Sequence, residues 1–210
     1  MAQEQRSVVD FDEVRMEGTG TIFIRQGERE SLTIEATEHL LSKIKSDVNA
    51  GRLELGFRHW YDYLVEIGHS EITYHLTVLR LRGVTLSGSG KIHAGPLQTD
   101  RMQFRVSGSG DLECESIQTR DLDVQVSGSS KVKLRGSAEQ LQVEISGTGD
   151  LQAFDLLAKE VRLRISGSGK MEVNAEQRLD ARISGSGDIR YTGSPDVSQS
   201  ISGAGSVRRV

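Results

Sequence analysis

From residue 83 onward, apolar and polar residues alternate with a period of two. In MQFRVSGSGDLEC, which begins at Met102, the residues Met102, Phe104, Val106, Leu112 and Cys114 share one parity. Gln103, Arg105, Ser107, Ser109, Asp111 and Glu113 share the other. Such alternation marks a strand with one buried face. It recurs at Leu122, Val124 and Val126 with Val132 and Leu134, at Leu141, Val143 and Ile145, and at Val161, Leu163 and Ile165. No helical period runs through residues 83–210. Cys114 lies on the inward parity and reads as a small core residue.

The alternation is interrupted at regular intervals by S-G-[S/T/A]-[G/S], beginning at Ser87, Ser107, Ser127, Ser146, Ser166, Ser184 and Ser202. The intervals are 20, 20, 19, 20, 18 and 18 residues. A period near 20 predicts a solenoid, whose turns bury their apolar faces only by stacking. Turns made of strands alone predict an all-β fold, a parallel β-helix. Gly108 and Gly110 fall on the inward parity, at the bend, where a Cβ would collide with the next coil or force a poor backbone conformation. The flanking serines should form an outward hydroxyl ladder.

The residue after each motif is, in order, Lys91, Asp111, Lys131, Asp150, Lys170 and Asp188, then Ser206. Stacked, these form a structural charge ladder in which each Lys lies between two Asp. An exposed pair contributes only ~0–1 kcal/mol. The larger expected effect is on register, because a slip of one turn sets Lys on Lys and Asp on Asp. Two residues further on, Glu113 should face Lys133, and Glu172 should face Arg190.

Residues 1–80 read as an atypical β-rich cap with the first coils, and 81–210 as the repeat β-helix, the two forming one structural unit. Gly18-Thr19-Gly20 is a degenerate copy of the motif. Strands are predicted around 20–25, 31–36, 52–57 and 71–80. A helix is predicted over 37–48, with Thr37 as its cap, Leu40, Leu41, Ile44 and Val48 on one face, and Gly51 beyond its end. The stretch FRHWYDY at 57–63 holds four of the ten aromatic residues: Phe57, Trp60, Tyr61 and Tyr63. It reads as a hairpin whose rings cover an open end of the solenoid. The alternative is an exposed platform that contacts a glycan or a partner protein.

The segments SVVDFDEVRMEGTGTIFIRQGERESLTIEATEHLLSKIKSDVNAGRLELGF and ITYHLTVLRLRGVTLSGSGKI, followed by tandem SGSGD-type repeats, are similar to the putative auto-transporter adhesin head GIN domains of bacteria. The likeness covers about residues 8–208. It implies a right-handed parallel β-helix, commonly on exported or envelope-attached proteins, and thus an extracellular or cell-envelope location. It implies an adhesin-like role and carries no catalytic residues to transfer. This chain departs from the pattern in showing no leader or lipobox.

Composition narrows the remaining chemistry. Lys and Arg number 26 and Asp and Glu 30, a net charge of −4, so no nucleic-acid partner is expected. No stretch approaches the ~18 apolar residues of a membrane span, so direct membrane insertion is not expected. The N-terminal MAQEQRSVVDFDEV lacks a signal-type apolar region. The single cysteine excludes an internal disulfide. The SGSG segments lead into strands, not helices, which argues against a phosphate cradle. Lys on alternate turns would repel the cation of a calcium-binding roll, whose repeat is also half as long. Histidines 39, 59, 69, 75 and 93 show no metal-ligand spacing. No cofactor is expected.

A carbohydrate-active β-helix, binding or cleaving an acidic polysaccharide, is the alternative function. Its candidate carboxylates are Asp111, Asp150 and Asp188. Neighbours in that set stand two turns apart, about 10 Å, beyond the ~5–9.5 Å of glycosidase pairs. An outward column of Arg162, Arg164 and Arg182 could meet an acidic sugar, with Glu144 and Asp180 nearby. The reading that accounts for most of the pattern is a non-catalytic surface module for recognition or scaffolding. Its expected partners are a protein, a glycan or a second copy of itself. Arg208 and Arg209 at the C-terminus are expected to discourage end-to-end stacking.

Overall fold

The computed structural model describes residues 1–59 and 71–210. Its elements in chain order are β1 (Ala2–Arg6), β2 (Glu13–Gly18), β3 (Thr21–Gln26), β4 (Ser31–Ala36), α1 (Glu38–Leu41), β5 (Ile44–Asn49), β6 (Arg52–Phe57) and β7 (Thr73–Val78). There follow β8 (Gly83–Gly88), β9 (Lys91–Gly108), β10 (Asp111–Gly128), β11 (Lys131–Gly147), β12 (Asp150–Gly167) and β13 (Lys170–Gly185). The chain closes with β14 (Asp188–Gly193), β15 (Asp196–Gly203) and β16 (Ser206–Arg209). The coils stack as parallel strands in a β-solenoid of about six turns.

Each motif is a corner between an approach limb, which leads into it, and an exit limb, which leaves it. Past the corner the chain runs through one long bent strand into the next approach limb. In this way β9 pairs along its whole length with β10, from Lys91↔Asp111 to Gly108↔Gly128. The inward positions Met102, Phe104, Val106, Leu112 and Cys114 are all buried, as the parity predicts. The same holds for the inward positions of β10–β13, which join a single core. Local register shifts occur in the exit limbs, as between Cys114 and Ile117.

The corners explain the glycines. At Gly108, φ is +118°, and an added Cβ would lie 2.4 Å from the Gly88 carbonyl oxygen of the coil before. The Ser109 N–H donates to that same oxygen at 3.0 Å. A side chain is therefore excluded both by conformation and by the approach of neighbouring backbone. Gly110 is buried whereas Gly108 is exposed, so the inward parity places only the second glycine in the interior. The flanking serines align in register from Ser87 to Ser202 through Ser107, Ser127, Ser146, Ser166 and Ser184.

Gly18-Thr19-Gly20 is a corner too. β2 pairs with β8 up to Gly18↔Gly88, and β3 pairs with the start of β9. Before this coil in space lies another, made of β6 alongside β2 and β7 alongside β3. Antiparallel strands then finish this end: β5 on β6, β4 on β7, and β1 on β4. The side chains of Leu40 and Leu41 in α1 are buried there. Arg6 ties the layer down by donating to the carbonyls of Leu41 and Ile44 and to Ser46 Oγ.

The predicted helix over 37–48 is corrected. Helix α1 spans four residues, and Ile44–Asn49 is a strand. Thr37 makes no side-chain capping bond. A short helix must repay a costly nucleus, whereas strand β5 pairs all six of its residues with β6. Ile44 and Val48 also fit a strand better. Gly51 ends no helix. With Ala50 it forms the two-residue hairpin turn, both at positive φ (49° and 79°), the geometry of a type I′ turn.

Replacing Gly108 with Ala should destabilise the protein by about 1–3 kcal/mol through backbone strain. Ser109→Ala, an exposed change beside it, should stay within about 0.5 kcal/mol of wild type. Urea unfolding of both variants measures the difference.

Candidate functional site

The alternating charges stand where stacking puts them. Lys91 lies beside Asp111, Lys131 beside Asp150, Asp150 beside Lys170, Lys170 beside Asp188, and Asp188 beside Ser206. The Lys131 backbone N–H donates to Asp111 Oδ1 at 3.2 Å. Among the described residues, the ion pair that these six charges form is Asp188 with Arg208, at 3.9 Å. Closer pairing occurs one column further on, two residues along each exit limb. Glu113 meets Lys133 at 3.6 Å, Arg135 at 3.3 Å and His93 at 3.8 Å. Glu172 meets Arg190 at 3.0 Å, and that guanidinium sits 6.0 Å from the centre of the Phe154 ring.

The same column carries an aromatic ladder that strand alternation does not reveal. His75 on β7, Phe23 on β3 and His93 on β9 are register partners. Phe23 stacks on His75 at 5.5 Å and 11°, and on His93 at 5.1 Å and 14°. Glu35 lies 3.6 Å from His75 at one end, and Glu113 lies beside His93 at the other. The two imidazoles flank Phe23, so mainly the edge of its ring faces solvent. Phe23 remains 43% exposed. Aligning Gly18-Thr19-Gly20 with Gly88-Ser89-Gly90 would have paired Phe23 with His93. His75 arrives through the long excursion between β3 and β8, which has no period.

The approach limbs form the other face. Two adjoining depressions, of about 380 and 210 Å³, share Gln142 and Arg162. The first also meets Asp121, Asp123 and Glu160, and the second Glu144, Arg164 and Arg182. Arg182 pairs with Asp180 at 3.1 Å, and Arg162 with Glu160 at 3.9 Å. The predicted arginine column is thus interleaved with carboxylates and amides, a polar surface of mixed sign.

Phe57 is half-buried and packs against the core. Trp60, Tyr61 and Tyr63 lie outside the described residues. Lys170 stands between Asp150 and Asp188 in register, and Lys131 stands beside Asp150 and donates its N–H to Asp111. Among the described residues no group of three metal-ligating side chains gathers. Cys114 is buried, and its thiol bonds the Ser116 carbonyl at 3.7 Å. Burial pushes that thiol up to about 12.

A parallel β-solenoid closed by corner glycines defines the class. The family model "Putative auto-transporter adhesin, head GIN domain" matches residues 10–195, and the chain belongs to this family. A crystal structure of a putative adhesin from Bacteroides fragilis NCTC 9343 shares 26% identity, with a TM-score of 0.90. The match covers 100% of this chain and 96% of that one. A structure described as a putative lipid binding protein, from Parabacteroides distasonis ATCC 8503, has 24% identity and a TM-score of 0.80 over 100% and 96% of the chains. A putative adhesin from Parabacteroides merdae ATCC 43184 has 23% identity and a TM-score of 0.79 over 100% and 95%. These last two show the same fold. No curated protein matches the chain.

Cys114 should resist thiol reagents at about pH 8 in the folded protein and react fully in denaturant, because the reactive species is the thiolate. Its ordinary value is 9.0. Between there and about 12, the unfolded chain loses the proton while the folded one keeps it, so stability should fall as pH rises. Thermal melts across that range should show a shallower fall for Cys114→Ala than for wild type.

Proposed function

We propose that this protein is a non-catalytic recognition or scaffold module, displayed outside the cell or on the envelope, that meets its partner on an outer polar face. The single observation that carries this reading is the unbroken register of the outward columns. From β9 to β13, each outward position of the approach limbs continues from coil to coil in step. The inward positions are filled with packed side chains, so a large partner is met from outside. A stacked scaffold holds its surface groups in fixed relative positions, which limits the ordering cost of binding. The family's adhesin description and the Bacteroides fragilis likeness support the same reading.

The approach-limb depressions are the favoured contact surface. Their amides, carboxylates and guanidinium groups suit the hydroxyls of a glycan or the polar rim of a protein. The aromatic residues Trp60 and Tyr61 supply the second candidate contact. No described helix is long and apolar enough to cross a membrane.

Glycan and protein arrays provide the test. Gln142→Ala with Arg162→Ala should weaken a captured partner about tenfold or more, in the range of one strong contact. Full retention of binding by that double variant would overturn the assignment of this face. Retention by Trp60→Ala with Tyr61→Ala would remove the aromatic contact. Acidic polysaccharides should show no turnover. Cleavage lost on replacing Asp111, Asp150 or Asp188 would overturn the non-catalytic reading in favour of a carbohydrate-active enzyme.

A further inference from the structure

The two ends of the coil stack are finished differently. At one end β5, β4, β1 and α1 cover the coil of β6 and β7. At the other, β15 pairs with β13 along one edge and, among the described residues, with no strand along its second edge. All eight residues of β15 are exposed. Val197 and Ile201 face inward, beside the buried Leu179 and Ile183, yet they are 41% and 39% exposed.

An open strand edge is a template for pairing, and proteins normally blunt it with charge or proline. The approach limbs of β9–β13 carry outward charges: Arg105, Asp123, Glu144, Arg162 with Arg164, and Asp180 with Arg182. β15 carries Ser198 and Ser200 at the equivalent positions. Pro195 and Asp196 stand at its entrance, and no charge or proline follows before Gly203.

The strand is also nearly palindromic. Val197-Ser198-Gln199-Ser200-Ile201 reads similarly in both directions about Gln199. We propose that β15 is a homotypic docking edge, on which a second copy of this chain pairs antiparallel about a two-fold axis through Gln199. Val197 then lies opposite Ile201 of the second copy, Ser198 opposite Ser200, and Gln199 opposite Gln199. Asp196 falls opposite Ser202, so no like charges meet. The apolar pairs share the inward face, where each copy covers the other's exposed Val197 and Ile201. Such an interface is isologous and closes at two subunits. Arg208 and Arg209, which the sequence suggested would resist stacking, are engaged within their own chain. Arg208 reaches Asp188 and Ser206 Oγ, and Arg209 donates to Ser194 Oγ at 2.8 Å. The proposal stands apart from the recognition reading, and a tail-to-tail dimer would double whatever faces the module presents.

Sedimentation equilibrium of the 210-residue chain, up to about 1 mM, the weak end of specific association, tests the edge. Two double variants test the register. Ser198→Lys with Ser200→Lys sets like charges opposite each other across the two-fold. Ser198→Lys with Ser200→Glu sets opposite charges there, and also places each new charge beside its opposite in its own chain, Asp180 and Arg182 respectively. Circular dichroism melts confirm that each variant is folded. The wild type should form a concentration-dependent dimer. The Lys/Lys variant should weaken it at least about tenfold, and the Lys/Glu variant should bind at least as tightly as wild type. A wild type that stays monomeric, an open-ended series of oligomers, or a Lys/Glu variant weaker than wild type would each overturn the proposal.

Discussion

One backbone contact sets the geometry of this molecule. At each corner from Gly88 onward, the N–H following the first glycine donates to the carbonyl of the equivalent glycine one coil before. Ser89 to Gly18, Ser109 to Gly88, Ser129 to Gly108, Thr148 to Gly128, Ser168 to Gly147, Ser186 to Gly167 and Ala204 to Gly185 all span 2.9–3.0 Å. The contact needs a positive φ and the absence of a Cβ, and glycine meets both needs at least strain. With the corners fixed in register, the limbs on either side are fixed as well. Each inward residue then lands on an inward residue and each charge beside its column neighbour. A one-residue slip would turn the core face to solvent. The one departure among the second glycines is Ser130. Its hydroxyl donates to the Gly108 carbonyl at 3.3 Å, and the next N–H, that of Lys131, goes to the Asp111 carboxylate.

Much of this was legible in the residues because it is periodic. Parity placed Met102, Phe104 and Val106 inward, and the motif placed the corners, including the degenerate one at Gly18-Thr19-Gly20. What escaped was aperiodic or decided by distant pairing. Residues 37–48 carry a helix-compatible apolar face, yet Ile44–Asn49 became a strand because β6 offered it a complete antiparallel partner. The short range of helix signals cannot register that competition. The His75 rung of the ring ladder depends on a strand brought in by the excursion between β3 and β8, so no spacing encodes it. The Lys/Asp positions are neighbours in the stacked register. The close ion pairs, however, gather around Glu113 and Glu172, and not along the Lys/Asp alternation.

The division of labour that follows is simple. Inward positions and corner glycines carry the fold, and outward positions between corners are free to carry specificity. A family defined by this frame can therefore present different surfaces on one backbone. In this chain the approach-limb face combines Gln142, Arg162 and neighbouring carboxylates, and the exit-limb face combines the ring ladder with ion-paired columns. The chain shares this frame with the family to which it belongs.

Amide hydrogen exchange at the corners tests the central claim most directly. The amides of Ser109, Ser129, Thr148, Ser168 and Ser186 belong to solvent-exposed or half-exposed residues, where loop amides ordinarily exchange fast. If their bonds to the preceding glycine carbonyls hold the stack together, they should exchange only with global unfolding, as slowly as the core amides of Val124 and Val143. Rapid exchange at these five amides, with the limb amides still protected, would show that the corners follow the stack and do not set it.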